Sequence, residues 1–514
     1  MTTTTGILRP AGLPARPLGE LLDGSAEVPP GAASLPVSDI VYDSRRARSG
    51  CLYVGLAGAK THGARFAADA ARAGSVALLT DSVGAGLAGD AGLPVVEAGD
   101  PRLAMATAAA RFFGHPTRGR CTFGVTGTTG KTTTCLMIDA ALRANGRHSG
   151  YIGTLGFTLD GVAIPTERTT ITTPESTDLQ AALAVMVQQG ADAFVMEATS
   201  SGLLMDRVEG VEFDVVGFTN LGRDHMDIHP TIEDYFQAKA KLFRPGWAGH
   251  AVVDIDDAAG RRLAAMITEQ GDPMLTTVGR DESADYRIVE TLHQGDNQLV
   301  VFTNRGLQDA FPLDLPGDFN ASNAMLALAM TEAAGFDRIL SMHGLRHAMA
   351  PGRLQRIDLG PDAPRVYIDF GHTPEATDAV LKTLSHPLMA VLGAGGDRDP
   401  GKRGLLGLAA ARHADVVVVT DDNYRSEDPA KIRAAVRQGA EQQAAAGDRP
   451  VRVYDIDGRP AAVRQALALA DPQWNVVVLG RGVEEFQEAG DKRIPMRDAD
   501  LIRSAWADLC EERS

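Results

Sequence analysis

An apolar β-type run at residues 121–125 gives way to Gly127-Thr128-Thr129-Gly130-Lys131-Thr132-Thr133, and a helical pattern then continues to residue 144. A strand, a glycine-rich turn and a helix start, in that order, constrain this chain more than any other feature. The turn leaves successive backbone N–H groups free, and the helix dipole points at whatever they bind. A polyphosphate is the ligand such a loop accepts. Lys131 is spaced to reach terminal phosphates, and the Thr132 hydroxyl to hold magnesium. The fit to the general phosphate-loop pattern is off by one residue, because its first glycine falls at Gly124 instead of Val125. A glycine-rich turn with a chance Gly-Lys-Thr is the alternative, and the flanking strand and helix argue against it. The expectation is an ATP site built on residues 127–133.

A chain of 514 residues suggests about three domains. A net charge of −16 opposes a nucleic-acid or anionic-membrane partner. No apolar run approaches the ~20 residues of a membrane span. The start, Met-Thr-Thr-Thr-Thr-Gly-Ile-Leu, lacks the basic and apolar parts of a signal peptide. Cys51, Cys121, Cys135 and Cys510 show neither metal spacing nor a disulfide framework. These features place the chain in the cytoplasm, with a monomer or weak oligomer as the expected state.

The fold class read from the pattern is α/β, in three regions. Residues 1–117 mix short apolar runs (40–42, 52–56, 76–79, 94–96) with helical stretches at 64–73 and 101–113, and end at Gly114-His115-Pro116. Residues 118–350 alternate strands (122–125, 193–196, 215–219, 251–254) with helices (178–189, 233–242), as a parallel sheet does. After the break at Ala350-Pro351-Gly352, residues 351–514 repeat the alternation. Their strands are at 366–370, 388–392, 415–420, 451–454 and 475–479, mostly continuous Val/Ile/Leu runs suited to a sheet covered on both faces.

Chemistry-bearing residues follow several of these strands. Glu197 ends the strand before Ala198-Thr199-Ser200, where a carboxylate can bind a metal beside a triphosphate or cap a helix; the two readings stand level. Asp224, His225, Asp227 and His229 crowd six residues, as a metal or polyphosphate site would, or as a solvated acidic loop would. Lys239 lies at the margin of an amphipathic helix and by itself reads as an ordinary snorkelling lysine. The segments 369–374, 395–403, 421–425 and 480–484 all follow predicted strands, so one crevice can collect them. Their arginines and glutamates suit a zwitterionic amino acid, a guanidinium for its carboxylate and a carboxylate for its ammonium.

Taken in order, Gly-Thr-Thr-Gly-Lys-Thr, Thr-Thr-Pro-Glu, Met-Glu-Ala-Thr-Ser, Asp-His-Met-Asp-Ile-His, Ala-Lys, Phe-Asn-Ala-Ser-Asn, Gly-Arg-Leu, His-Thr-Pro, Gly-Gly-Asp-Arg-Asp and Asp-Asn-Tyr-Arg resemble the Mur ligases. Within them the set is most similar to the MurE type, which adds an amino acid to a UDP-N-acetylmuramoyl-dipeptide. The resemblance spans about residues 40 to 500. It implies an N-terminal UDP-binding domain, a central P-loop ATPase domain and a C-terminal Rossmann-like domain for the incoming amino acid. It further implies ATP, two Mg²⁺ ions and an acyl phosphate formed on the D-glutamate carboxylate of UDP-MurNAc-L-Ala-D-Glu.

Carried over by position, Thr132 and Glu197 match ligands of one magnesium. Glu197, His225 and Lys239, the last carbamylated, match the second. Lys131 and Arg353 resemble the phosphate-binding cations, Asn323 the adenine contact and Asp369 the ribose contact. Ser44 matches the uracil loop, with residues 58–63 nearby. Thr172, Thr173, Thr199 and Arg207 match contacts to the muramoyl-dipeptide. Arg398, Asn423, Arg425, Gly480 and Glu484 match the pocket for meso-diaminopimelate. A buried Arg425 without a distal carboxylate to meet would cost about 3–5 kcal/mol, which disfavours lysine.

The chain departs from the family pattern at Tyr424, usually proline, and at Arg481 and Val483 in Gly-Arg-Gly-Val-Glu, usually Gly-Lys-Gly-His-Glu. It also departs at Ser201, Gln355 and Phe370-Gly371. A paralogue using L-lysine or another amino acid, and a folylpolyglutamate-synthase-like ligase, are therefore the other readings. So is a non-catalytic P-loop protein, which would tolerate loss of Lys239 or His225.

Overall fold

The computed structural model describes residues 8–58, 60–166, 172–294, 297–348 and 350–513. The N-terminal stretch read for a signal peptide and residue 59 of the 58–63 loop lie outside these. The protein is α/β with three principal sheets. Among the described residues no helix is long and apolar enough to cross a membrane.

The first sheet has four parallel strands in chain order, Asp39–Val41, Cys51–Gly55, Ala77–Thr80 and Val95–Glu97. Each lies where a short apolar run predicts it. The helix Pro101–Phe112, capped by the Asp100 carboxylate, packs its alanines into the core beneath. Residues 64–73 begin as a tight turn, Gly63–Phe66, before the helix Ala67–Arg72.

The second sheet has eleven strands, and its parallel centre positions the site. Cys121–Thr126 lies between Ala193–Glu197 and Phe213–Phe218, with Glu197 opposite Val125 and Phe218 opposite Thr126. All three strands therefore end level, and the residues that follow them share one edge. Apolar side chains fill both faces, one against the helices Lys131–Ala144 and Asp318–Ala333, the other against Ser176–Gln188 and Ala258–Gln270. An antiparallel extension, Tyr286–Gln294, Asn297–Asn304 and Leu307–Leu313, was not anticipated. Its strands alternate buried and open positions, and Val300, Phe302, Phe311 and Leu313 join the main core.

At the predicted break, Gly352 adopts φ 67° and packs so closely on Gly482-Val483 that a Cβ would stand 2.8 Å from the Val483 nitrogen. Only glycine suits that crossing. The third sheet follows, its parallel strands ordered Arg365–Asp369, Asn475–Leu479, Leu388–Leu392, Val416–Val419 and Arg452–Asp455, with antiparallel Gln355–Ile357 on its edge. A small hairpin, Phe486–Ala489 with Lys492–Pro495, lies beyond them.

Beneath that hairpin lies an ion pair with no exposure on either side, Arg459 Nη2 to Asp498 Oδ2 at 2.7 Å, with Arg481 Nε 3.9 Å from the same carboxylate. Removing Asp498 strands two buried guanidinium groups. Asp498→Ala should cost on the order of 3–5 kcal/mol of C-terminal-region stability, read from the midpoint of its urea transition.

Candidate active site

A cavity of about 980 Å³ runs from the phosphate loop to the hairpin of the C-terminal region. At one end, Gly127 and Gly130 carry φ of 149° and 84°, and helix Lys131–Ala144 starts immediately after. A Cβ on Gly130 would lie 2.4 Å from Asn323 Oδ1, so Asn323 packs directly on the loop. Asn220 clamps the loop from the next strand, its Oδ1 accepting from Thr129 N at 3.0 Å and its Nδ2 donating to Thr129 O at 3.3 Å. Asn220 had no role in the sequence reading; its place directly after a strand level with the loop strand was the available signal. Lys131 Nζ donates to Gly127 O at 2.9 Å and Thr128 O at 3.0 Å. Burial pulls its pKa down, against the attraction of Glu197 and Asp224.

Glu197 is fully buried and fully engaged. Its Oε1 accepts from Tyr151 Oη at 2.6 Å and Thr154 N at 2.8 Å; its Oε2 accepts from Thr132 Oγ1 at 3.0 Å and Thr154 Oγ1 at 3.1 Å. Four donors satisfy the oxygens of this buried carboxylate. The helix-capping alternative fails, since Thr199 caps that helix through Gly202 N. Tyr151 and Thr154 escaped the sequence reading, because the strand Ser149–Gly153, which carries Tyr151 and ends just before Thr154, lacks a conspicuous apolar run.

Lys239 is 1% exposed, on a helix Ile232–Ala240 fixed by a Thr231/Asp234 capping box. Its Nζ donates to Gly127 O at 2.7 Å and stands 4.3 Å from the Tyr235 ring centre. It is buried behind the loop, outside the cavity wall, and not a snorkelling side chain. Burial, reinforced by Lys131, pushes its pKa far below that of a free lysine. His225, at φ 56°, lines the cavity 3.5 Å from Asp224. Burial, with Lys131 and Lys239 nearby, lowers its imidazole pKa to about 4 against the pull of Asp224. Burial would raise Asp224, yet the His372 hydrogen bond and the charges of His372, His225 and Lys402 hold it well below the carboxylate range.

The C-terminal region closes the other side. Arg353 Nη2 donates to Thr132 Oγ1 at 3.1 Å while its guanidinium lies 4.4 Å over the Phe370 ring. Asp369 borders the cavity, but its two oxygens accept from Leu354 N and Gly371 N, each at 2.6 Å. Asn423 Nδ2 donates to Glu484 Oε2 at 2.8 Å, and Asn423 Oδ1 accepts from buried Arg481 at 3.1 Å. Arg398, half exposed, lies 3.6 Å from Asp227. Gly480 completes the wall.

Arg425 departs from its expected state. Its Nε donates to Glu488 Oε2 at 2.7 Å and its Nη1 to Gly396 O at 2.7 Å. The protein supplies the carboxylate itself, so the unpaired-charge argument against lysine does not hold. The Tyr424 ring packs against the C-terminal core and does not border the cavity.

Thr172 and Thr199 line the cavity, with Thr173 and Arg207 behind them. Arg207 Nε bonds Glu175 Oε1 at 3.0 Å, and Arg102 from the N-terminal region takes Glu175 Oε2 at 3.1 Å. Ser44 lies apart, in the turn Ser44–Arg46. Burial lifts the carboxyl of Asp254, on the cavity wall, to about 7. A raised carboxyl stabilises fully below its unfolded pKa of about 3.9, and that stability is lost as pH climbs through the folded value. Asp254→Asn, which keeps an oxygen for the Asp256 N–H, should therefore stabilise by about 2–4 kcal/mol near pH 8.5 and hardly at all near pH 4. Urea melts at both pH values check the sign.

The chain matches the Mur ligase middle domain over residues 125–331 and the Mur ligase glutamate ligase domain over 352–482. It is 40% identical to the UDP-N-acetylmuramoyl-L-alanyl-D-glutamate–2,6-diaminopimelate ligase of Streptomyces coelicolor, covering 98% of this chain and 99% of that one. It is likewise 40% identical to the UDP-N-acetylmuramyl-tripeptide synthetase of Leifsonia xyli subsp. xyli, with 97% of each covered. Among solved structures, a UDP-N-acetylmuramoyl-L-alanyl-D-glutamate–2,6-diaminopimelate ligase superposes with a TM-score of 0.67 at 29% identity, over 96% of this chain and 99% of that one. A Mycobacterium tuberculosis folylpolyglutamate synthase complexed with ADP shares the fold at 20% identity and a TM-score of 0.61, over 81% of this chain and 95% of its own. The chain belongs to the Mur ligase family.

Proposed function

We propose that this protein is an ATP-dependent amide ligase that joins meso-diaminopimelate to the D-glutamate of UDP-MurNAc-L-Ala-D-Glu in peptidoglycan precursor synthesis. The observation that carries the reading is one continuous cavity between a phosphate loop and an Arg/Glu-lined wall, in a chain alike from end to end to ligases bearing that name. The folylpolyglutamate-synthase-like reading is weaker, since that likeness covers less of the chain. The proposed division is an N-terminal domain to residue 117 for the UDP end, a central ATP domain to 350 and a C-terminal domain for the acceptor.

A carboxylate is a poor electrophile, and transfer of the ATP γ-phosphoryl group makes it an acyl phosphate with a good leaving group. The acceptor amine then attacks the carbonyl carbon, and the tetrahedral adduct expels phosphate to leave the amide. Lys131 and Arg353 face the phosphates, Asn323 the base, and Thr172 and Thr199 the dipeptide. Glu484, which burial and then Asp422 push above the ordinary carboxylate range, faces the ammonium of the acceptor's far end.

The donor set suits magnesium. Thr132 Oγ1 and Glu197 Oε2 lie side by side and are hard oxygen ligands of the kind magnesium takes. No group of three His, Cys, Asp or Glu among the described residues forms a ready-made metal cage, in keeping with an ion held largely by substrate phosphates. Thr132 and Glu197 would hold one ion, and Glu197, His225 and carbamylated Lys239 a second; bound magnesium would neutralise the anionic oxygens. The lowered pKa of Lys239 favours the neutral amine that carbamylation by CO2 requires.

A phosphate-release assay with ATP, the UDP-dipeptide and a panel of amino acids tests the function. Turnover with diaminopimelate should exceed that with lysine, and faster addition of lysine would refute the acceptor. Lys239→Ala should lower turnover at least a hundredfold with the fold intact, and short carboxylates should restore part of it; wild-type rates in that variant would remove the carbamate from the mechanism.

A further inference from the structure

The hairpin Phe486–Ala489/Lys492–Pro495 is stitched to the loop that carries Arg425. Arg425 N donates to Glu488 O at 3.0 Å and Gly490 N to Arg425 O at 2.7 Å, while Gln487 Nε2 reaches Asp422 O at 2.9 Å and Glu488 N reaches Asn423 Oδ1 at 2.8 Å. Arg425 is held by these bonds at φ 51°, a left-handed conformation few arginines adopt. The hairpin is thus a fixed wall and not a loose flap.

Across it, Glu488 pairs in register with Arg493. Directly opposed residues of an antiparallel pair project from the same face, and both line the cavity together with Arg425. Glu488 already bonds Arg425 at 2.7 Å, the two side chains being 32% and 24% exposed. Arg493 is exposed and has no ion pair recorded among the described residues. Arg425, Glu488 and Arg493 thus set two guanidinium groups and one carboxylate on this stretch of the wall, with Glu484 and Glu485 lining the cavity beside them. The far end of diaminopimelate is itself an α-amino-acid zwitterion. It presents one anion for the two guanidinium groups and one cation for Glu488, which joins Glu484 there.

We propose that Glu488 and Arg493 join Arg425 as specificity-determining residues for the acceptor's distal end, the two guanidinium groups taking its carboxylate and Glu488 its ammonium. This rests on the diaminopimelate reading given above. It replaces exclusion of lysine by an unpaired charge with discrimination by the order of charges along the wall.

Three acceptors separate the roles: meso-diaminopimelate, lysine with a distal ammonium only, and 2-aminopimelate with a distal carboxylate only. In Glu488→Gln the preference for diaminopimelate over 2-aminopimelate in kcat/KM should fall at least tenfold. In Arg493→Gln its preference over lysine should fall at least tenfold, mostly through KM, and Arg493→Lys should recover part of it. The apparent KM for ATP, followed in each variant, should move less than twofold. Both preferences within twofold of wild type would overturn the inference while leaving the diaminopimelate reading standing. A wild-type enzyme that does not use diaminopimelate at all would overturn both.

Discussion

Three parts of the chain meet at one hydroxyl. Thr132, in the first turn after the phosphate loop, donates to Glu197 at the end of the neighbouring strand and accepts from Arg353 at the entrance to the C-terminal region. The arrangement depends on parallel strands ending level, since a slip of one residue would turn the Glu197 side chain to the opposite face of the sheet. The buried carboxylate then needs its four donors, which come from Thr132, Tyr151 and Thr154. Sheet register, loop and the closing region are therefore coupled through a single buried anion.

The C-terminal region is held over the site by contacts of a different strength. Arg223 with Asp399, Arg398 with Asp227, and Lys402 and His372 with Asp224 bridge the cleft at 3.4–3.8 Å. The partly exposed pairs Arg223–Asp399 and Arg398–Asp227 contribute roughly 0–1 kcal/mol each and weaken with salt, whereas Lys402 and Asp224 are largely buried. Inside the C-terminal region, Arg459, Asp498 and Arg481 form a network without solvent access, where losing one partner is far more costly. The partly exposed contacts across the cleft are thus weaker than those inside the C-terminal region. Arg398 shows the consequence: its guanidinium rests on a carboxylate of the opposite wall and can exchange it for a ligand's.

Much of this was legible in the sequence where one local signal sufficed. The strand, turn and helix of residues 121–144 are contiguous, and the β-type runs of the C-terminal region lie within a residue or two of the observed strands. The antiparallel extension at 286–313 alternates as exposed sheets do, yet its polar positions dilute the apolar runs. Lys239 looked like a surface lysine because its helix is amphipathic. What buries it is Gly127, more than a hundred positions earlier. Tyr424 stood out as a departure from proline, and tertiary packing shows its ring against the C-terminal core.

The acceptor end marks where local reading stops. Arg425 is visible in Asp-Asn-Tyr-Arg, but its partner Glu488 lies 63 residues away on a hairpin too short and polar to announce itself. An isolated guanidinium would select by penalty, since any ligand without a carboxylate would leave it unpaired. A guanidinium already bonded to Glu488 carries no such penalty. Selectivity must then come from how well a ligand's own charges match the order of those on the wall. A zwitterionic end meets charges of both signs on this wall, whereas a lone ammonium brings no anion for Arg493 and a lone carboxylate no cation for Glu488.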